Sequence, residues 1–316
     1  MWVPDDFLEG FEKLSWPIEG AQFADGEPTD NPLTATLVRR NAPSQDRAVL
    51  YIHGWDDYFF QSHMADFWAE QGFDFYAIDL RRYGRNLTPG LFAGYITDLH
   101  DYFTEIDDAY VRIQDEGHSK ITLMGHSTGG LIASLWASEA PHLLNGLILN
   151  SPWLDMAGTD MLWSALSPLV SSVAFLQPTT SLQITDYGIY RRTLQETGDW
   201  GIDPNYKSNE AFVVRFGWGK AILAGHKAVS EGLNIDTPVL SMMSTKSMSQ
   251  TKEWDPEFLH ADTVLDVDNL ARASINLGQL VTICRIQDGI HDLVLSTLPV
   301  REKVFSHMKH WAKAYL

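Results

Sequence analysis

Residues 121–140 of the chain read ITLMGHSTGGLIASLWASEA. The apolar segment 121–124 predicts a strand, and residues 131–140 predict a helix. Between them, residues 125–129 fit the pattern G-x-S-x-G, in which a sharp strand-to-helix turn lifts a serine hydroxyl above a sheet. The pattern predicts that Ser127 is a nucleophile and that the backbone N–H of Thr128 faces a developing oxyanion. The alternative is a glycine-rich helix start without chemistry.

Short apolar strands alternate with longer helical patterns on both sides of this turn. Strands are predicted at 33–40, 48–52, 73–78, 121–124, 147–149, 238–240 and 280–286, and helices at 61–71, 97–114 and 131–140. Residues near 16–32 are rich in proline, glycine and aspartate, which predicts loops. The alternation is typical of the α/β class, with a mostly parallel central sheet flanked by helices.

The alternation stops after Pro152 and resumes at Pro238. We therefore predict a core formed by residues 1–153 and 226–316, with a mainly helical cap or lid inserted at 154–225. Apolar side chains of this region are candidates for the wall of an acyl pocket, or simply pack on the core. They are Trp153, Trp163, Leu166, Leu169, Val170, Phe175, Leu176 and Tyr187.

Charge excludes some classes of partner. The 316 residues carry a formal net charge of −18, whereas nucleic-acid binding needs a basic face and docking on anionic membranes needs basic clusters. We expect neither a nucleic-acid partner nor stable membrane insertion. The longest apolar stretch, 161–176, is interrupted by proline and serines and is short for a membrane span.

The termini and the cysteine add two expectations. No pattern typical of a signal peptide follows Met1, which favours a cytoplasmic location. Cys284 is the only cysteine, so no disulfide forms within the chain. It lies in a predicted strand and is expected to be a small buried residue.

A second motif follows an earlier strand, where residues 52–57 read IHGWDD. With this motif the sequence resembles the α/β-hydrolase family from about residue 33 to the C-terminus, apart from the cap. In that family a His-Gly pair opens the loop of the oxyanion hole. The resemblance implies that the backbone N–H of Trp55 is the partner of the Thr128 N–H. His53 is a weaker candidate for a general base, since the pair is expected to shape the loop.

The resemblance also implies a base after the last predicted strand, where residues 288–293 read DGIHDL. It assigns this role to His291. The other histidines, His118 and His226 among them, are expected to be surface or boundary residues.

The catalytic acid is less directly indicated. The family usually has a carboxylate shortly after the strand that starts at Pro238, but residues 241–247 contain none. A long loop leads instead to Asp262, which resembles the family's acid and precedes a helical pattern. Asp266, Asp255 and Asp155 are the alternatives, although Asp266 also fits an ordinary residue at a helix start.

Within the family, the chain resembles the branch of monoacylglycerol lipases, lysophospholipases and S33-type serine aminopeptidases. The evidence is His53-Gly54, the Gly-His-Ser-x-Gly turn and the cap. Residues 79–86, DLRRYGRN, resemble the branch's D-x-R-G-x-G-x-S loop but depart from it at Arg82 and Asn86.

The resemblance implies a serine carboxylester hydrolase acting through an acyl-enzyme on monoacylglycerol-type, lysophospholipid-type or similar esters. It implies a small-molecule acyl ester as partner and no metal or other cofactor, and it allows a homo-oligomer. An aminopeptidase or amidase using the same residues, and a non-catalytic ligand receptor, are the alternative functions.

Overall fold

The structure, a computed structural model, describes residues 1–40, 42–156, 172–198, 200–207 and 211–316. The chain divides into two compact units. The first contains Met1–Ile121 and the described residues of Leu166–Ile184 and Ile202–Gly225. The second contains the described residues of Thr122–Ala165 and of Thr185–Gly201, together with His226–Leu316. Four candidate pocket residues, Trp163, Leu166, Leu169 and Val170, lie outside the described residues.

The first unit has a sheet with the strand order β1-β2-β3-β5-β4. The strands up to the β3–β5 pair run antiparallel, and β4 and β5 run parallel. Helix α1 packs on β5, and a short 3-10 helix, Leu99–Tyr102, precedes α2. The elements are β1 (Val3–Pro4), β2 (Phe11–Pro17), β3 (Thr34–Arg40), β4 (Arg47–Ile52), α1 (Ser62–Glu70), β5 (Asp74–Asp79) and α2 (Phe103–Asp115).

Two of these strands were not predicted. β1 has only two residues, both exposed. β2 has an irregular burial pattern and ends in a proline inside the segment predicted as loop. Neither strand shows the regular alternation that identifies a strand in a sequence, and β2 forms through its antiparallel pairing with β3.

The second unit has the parallel order β6-β7-β8-β9. Helix α3 packs on β7, and α6 packs on β8. Parallel strands with flanking helices confirm the predicted α/β class. The elements are β6 (Lys120–His126, which enters the unit at Thr122), α3 (Thr128–Glu139), β7 (Gly146–Asn150), α4 (Ile189–Thr197), β8 (Val239–Ser244), α6 (Val267–Ser274), β9 (Val281–Ile286) and α7 (Leu298–Tyr315); α5 (Phe216–Glu231) starts in the first unit and ends in the second.

The segment predicted as a cap contains helix 172–176, α4 and the first part of α5 among its described residues. Turns and irregular segments separate them. Helix α5 runs without a break across the predicted boundary at residue 225, and the domain boundaries stay a prediction. Phe175 and Leu176 are 80% and 77% exposed. In the described part of the chain, no helix has the length and apolar character needed to cross a membrane.

Two side chains differ from the sequence-based expectation. Cys284 is only half-buried, because β9 lies at the edge of the sheet formed by the described strands, where it pairs with β8. His118 is buried rather than at the surface: Nε2 lies 2.8 Å from the hydroxyl of Tyr76, and Nδ1 lies 2.8 Å from the carbonyl oxygen of Gln45. Neither residue contributes to the candidate site.

Candidate active site

Ser127 lies in a strained turn between β6 and α3. Its backbone has φ 51° and ψ −119°, a region that side-chain-bearing residues rarely adopt. Close backbone approaches enforce the turn: a Cβ atom on Gly125 would lie 2.5 Å from the carbonyl oxygen of Gly129, and one on Gly130 would lie 2.7 Å from Cβ of Pro152. The turn therefore also needs Gly130, which lies beyond the G-x-S-x-G pattern.

Residues at the end of β7 hold this turn. The backbone N–H of Ser127 donates to the carbonyl oxygen of Asn150 at 3.1 Å, and the N–H of Trp153 donates to the carbonyl oxygen of Ser127 at 3.0 Å. Nδ1 of His126 also donates to the Asn150 carbonyl, at 3.0 Å. The carbonyl of Asn150 thus has two donors from the turn.

His291 lies beside the serine. Nε2 of His291 is 3.0 Å from Oγ of Ser127, and the residue is 3% exposed. His291 follows β9, so the parallel sheet brings it to the same edge as the end of β6. Its ring lies 4.9 Å from the ring of His126 and meets the ring of Tyr190 edge to face at 5.3 Å.

Asp262 contacts the other nitrogen of the imidazole. Oδ2 of Asp262 is 2.9 Å from Nδ1 of His291, and Asp262 is fully buried. Oδ1 accepts from the backbone N–H groups of Val264 and Leu265 at 2.7 and 2.8 Å. A carboxylate only accepts, so the proton of neutral His291 sits on Nδ1, and Nε2 is left to accept from the serine hydroxyl.

A long loop delivers Asp262 to this position. Ser247 and Asp262 form a parallel bridge just after β8. The Asp262 N–H donates to the carbonyl oxygen of Lys246 at 2.9 Å, and the Met248 N–H donates to the carbonyl oxygen of Asp262 at 2.8 Å. The intervening chain leaves the end of β8 and returns to it, so the carboxylate lies beside the strand end although it is distant from it in sequence.

The three alternative candidates for the acid lie at other positions in the described structure. Asp266 caps helix α6, where its side chain accepts from the N–H groups of Asp268 and Asn269. Asp255 caps the short 3-10 helix Pro256–His260, and Asp155 is exposed. The structure therefore brings Ser127, His291 and Asp262 together within the second unit.

His53 lies in the first unit with both ring nitrogens engaged. Nε2 accepts from the backbone N–H of Leu80 at 3.1 Å, and Nδ1 donates to the carbonyl oxygen of Gly54 at 2.8 Å. The ring is 1% exposed, which fits a residue that shapes the His-Gly loop.

The two residues predicted for the oxyanion hole belong to different units. Trp55 lies in the first, where its indole packs on the ring of Trp218 with centroids 4.1 Å apart. Thr128 is buried and is the first residue of α3 in the second. Its N–H has no acceptor within the helix, as in the first turn of any helix. Their pairing stays a prediction.

Comparison with known proteins identifies the family. The family model described as serine aminopeptidase, S33, matches residues 43–246, which is well over half of the chain. The chain belongs to this S33 family of α/β-hydrolases. A search of curated proteins finds no significant match.

Solved structures with the same fold include several hydrolases. A soluble variant of monoglyceride lipase from Saccharomyces cerevisiae, in complex with a substrate analogue, matches with a TM-score of 0.63 and 19% identity over 95% of this chain and 99% of its own. A carboxyl esterase from Bacillus coagulans matches with a TM-score of 0.65 and 15% identity over 98% and 99%. At these identities the likeness confirms the α/β-hydrolase fold alone.

The structure explains why the S33-family chain departs from the D-x-R-G-x-G-x-S loop at Arg82. Arg82 has φ 64°, the conformation that favours glycine. Its guanidinium is buried and donates to both carboxylate oxygens of Glu27, at 2.6 and 2.8 Å, and to the carbonyl oxygen of Tyr95. The ion pair and the hydrogen bonds offset the backbone strain.

Asn86 replaces the serine of the same loop. Its Nδ2 donates to the carbonyl oxygens of Asp79 and Leu80 at 2.6 and 3.1 Å, and its Oδ1 accepts from the hydroxyls of Thr34 and Thr36. The residue is buried and ties the loop to β3 and β5, so both departures have structural roles.

Sequence reasoning missed Asn150 and Tyr190 as neighbours of the site. Asn150 ends an apolar strand and is followed by Ser151-Pro152, and a polar residue at that place was the available signal. Tyr190 lies in the segment predicted as a cap, in which nothing in the sequence marks one aromatic residue above the others.

Proposed function

We propose that this S33-family chain is a serine carboxylester hydrolase. The observation that carries the proposal is the continuous hydrogen-bonded series from Ser127 through His291 to Asp262. All three side chains are at least nine-tenths buried, and the serine lies at the N-terminus of a helix. A nucleophile, a base and a group that orients the base are the parts that acyl transfer needs.

The reaction follows from this arrangement. Nε2 of His291 takes the proton of Ser127 while Oγ attacks the ester carbonyl. The tetrahedral oxyanion accepts hydrogen bonds from the backbone N–H groups of Thr128 and Trp55. His291 then gives the proton to the departing alcohol and leaves an acyl-enzyme. Water, deprotonated by the same imidazole, attacks the acyl carbon. The bond to Oγ of Ser127 then breaks, His291 returns the proton to Oγ, and the acid is released.

The proposed substrates are acyl esters of the monoacylglycerol or lysophospholipid type, with a medium or long acyl chain. Two observations support this class. The fold neighbours include a monoglyceride lipase and a carboxyl esterase. Tyr190, on a helix of the predicted cap, contacts the ring of His291, so a cap side chain lies next to the base.

We further propose that the partner is a small molecule rather than a nucleic acid. The net charge of −18 supports this. A cytoplasmic location, no stable membrane insertion and assembly into a homo-oligomer remain parts of the proposal.

The test is hydrolysis of p-nitrophenyl esters from acetate to palmitate. The wild type should hydrolyse these esters, and the acyl length that it hydrolyses fastest indicates the length of the acyl site. Ser127→Ala should lower turnover by about 10⁴-fold or more. Ser138→Ala is the matched control. Ser138 lies on the same helix and its hydroxyl donates to the carbonyl oxygen of Leu135, so its removal should leave turnover intact. Equal turnover by wild type and Ser127→Ala contradicts the proposal.

An aminopeptidase or amidase is the second candidate, because the matching family model carries that description. Aminoacyl p-nitroanilides distinguish the two activities. Faster turnover of the anilides than of any ester, lost in Ser127→Ala, assigns the chain to amide hydrolysis. A chain that turns over neither class yet binds acyl esters is the non-catalytic receptor.

A further inference from the structure

Asn150 connects the two segments that carry Ser127 and His291. It is the last residue of β7 and is fully buried. Its main chain bonds the nucleophile turn, and its side chain bonds the segment after β9.

On the serine side, the Asn150 carbonyl oxygen accepts from the backbone N–H of Ser127 at 3.1 Å and from Nδ1 of His126 at 3.0 Å. Both donors belong to the strained turn. These bonds fix the backbone of the nucleophile to the end of β7.

On the histidine side, Nδ2 of Asn150 donates to Oδ1 of Asp292 at 2.6 Å, and Oδ1 of Asn150 accepts from the backbone N–H of Leu293 at 3.1 Å. Asp292 is fully buried and follows His291 directly in the chain. Its Oδ1 also accepts from the N–H of Val294 at 3.2 Å, so this oxygen is held by one side-chain donor and one backbone donor.

We propose that Asn150 is a positioning residue that sets the distance between Ser127 and His291. The inference rests on the proposed function for its catalytic meaning. Asp262 orients the imidazole from the far side, whereas Asn150 holds the backbone on either side of the Nε2–Oγ contact. Because misplacing a reacting group by about 1 Å can cost roughly 100-fold in rate, loosening this connection lowers reactivity without removing any reacting atom.

The hydrogen bonds required at position 150 explain why the residue there is an asparagine. The side chain must donate to a carboxylate and accept from an N–H, which an amide does and an aspartate or leucine does not. A carboxylate at 150 would face that of Asp292 in a buried place, at a high electrostatic cost. Exchanging the two residues restores the bonds of position 150: the carboxylate at 150 accepts from the N–H of Leu293 and from the amide at 292.

The experiment compares Asn150→Ala, Asn150→Asp and the exchange Asn150→Asp/Asp292→Asn. The first readout is the second-order rate of Ser127 labelling by a fluorophosphonate, which reports the reactivity of the serine without a substrate; the second is kcat and KM for a p-nitrophenyl ester. Asn86→Ala is the matched control, since it also removes buried hydrogen bonds of an asparagine, but none to the turn of Ser127 or to the segment after β9. All rates are taken at temperatures where each variant is folded by circular dichroism.

We expect Asn150→Ala and Asn150→Asp to lower the labelling rate and kcat by about 10- to 100-fold with little change in KM. The exchange should recover both to within about tenfold of wild type, and Asn86→Ala should leave both near the wild-type values. An unchanged labelling rate in folded Asn150→Ala, an equal loss in Asn86→Ala, or no recovery in the exchange overturns the inference. A wild type that labels fast and yet hydrolyses no ester contradicts the esterase function. Slow labelling of Asn150→Ala in that case still supports the inference. A wild type that does not label overturns both.

Discussion

The imidazole of His226 donates from Nε2 to the carbonyl oxygen of Trp153 at 2.8 Å, and the two rings meet edge to face at 5.2 Å. The N–H of Trp153 in turn bonds the carbonyl oxygen of Ser127. His226 is 7% exposed, and its burial lowers the pKa to about 4. His226 is therefore neutral in the folded chain at neutral pH, and it lies next to the segment that supports the turn of Ser127.

The first prediction concerns acid stability. The pKa of His226 is about 6.5 unfolded and about 4 folded, so the unfolded state takes up the proton first. Neutral His226 therefore makes its full contribution to the free energy of unfolding above about pH 6.5. As the pH falls to about 4, the free energy of unfolding decreases by up to about 3 kcal/mol. His226→Gln keeps an N–H donor but does not titrate. Its free energy of unfolding should therefore fall less between pH 7 and pH 4 than that of the wild type. Urea unfolding at pH 7 and pH 4 measures the difference, and equal losses in both proteins contradict the assignment.

The second prediction concerns the acid. Asp262→Asn keeps an oxygen for the N–H groups of Val264 and Leu265 but no longer favours a proton on Nδ1 of His291. We expect kcat to fall by about 10³- to 10⁴-fold with the fold intact. Ester hydrolysis and thermal unfolding measure the two effects.

The control for this variant is Asp266→Asn. Because asparagine is also a good helix cap, it should change the stability little and leave kcat near wild type. A larger loss of kcat in Asp266→Asn than in Asp262→Asn would mean that the acid has been misassigned.

The third prediction concerns Tyr190, whose ring edge contacts His291. Tyr190→Phe keeps the ring and should keep kcat within about threefold, whereas Tyr190→Ala removes the contact and should lower kcat by about tenfold, because the imidazole is then less constrained. Steady-state kinetics on one ester separates kcat from KM. Equal losses in both variants would assign the effect to the hydroxyl rather than to the ring.

The fourth prediction concerns a buried ion pair in the first unit. Nζ of Lys207 lies 3.0 Å from Oδ1 of Asp57, and the two residues are 8% and 4% exposed. Lys207→Met leaves a buried carboxylate without its cation and should destabilise the fold by about 3 kcal/mol or more. Lys207→Met/Asp57→Asn removes both charges and should regain part of that loss. Chemical unfolding of the three proteins tests this; a double variant less stable than Lys207→Met is the contrary result.

Much of the second unit could be predicted from the sequence, because its strands are short apolar runs between clear helical patterns. Ser127 was predicted from the glycines that its turn requires, and the resemblance placed His291 after the last strand. Both positions depend on local sequence and chain order, which a single sequence displays.

Other features depend on contacts between distant residues. β2 is a strand through its pairing with β3, and Arg82 can keep a left-handed backbone because its guanidinium reaches Glu27. Asn150 forms hydrogen bonds with the turn of Ser127 and with the segment after β9. None of these contacts has a local pattern, so the sequence alone did not indicate them.

The bridge between Ser247 and Asp262 closes the loop 249–261 at its base. The length and composition of that loop are consequently independent of where the carboxylate lies. The loop does touch α4, where the guanidinium of Arg192 lies 4.3 Å from the ring centroid of Trp254, and α4 carries Tyr190. Changes in the loop during evolution, or by engineering, thus reach the helix that carries Tyr190, while the bridge keeps Asp262 in place.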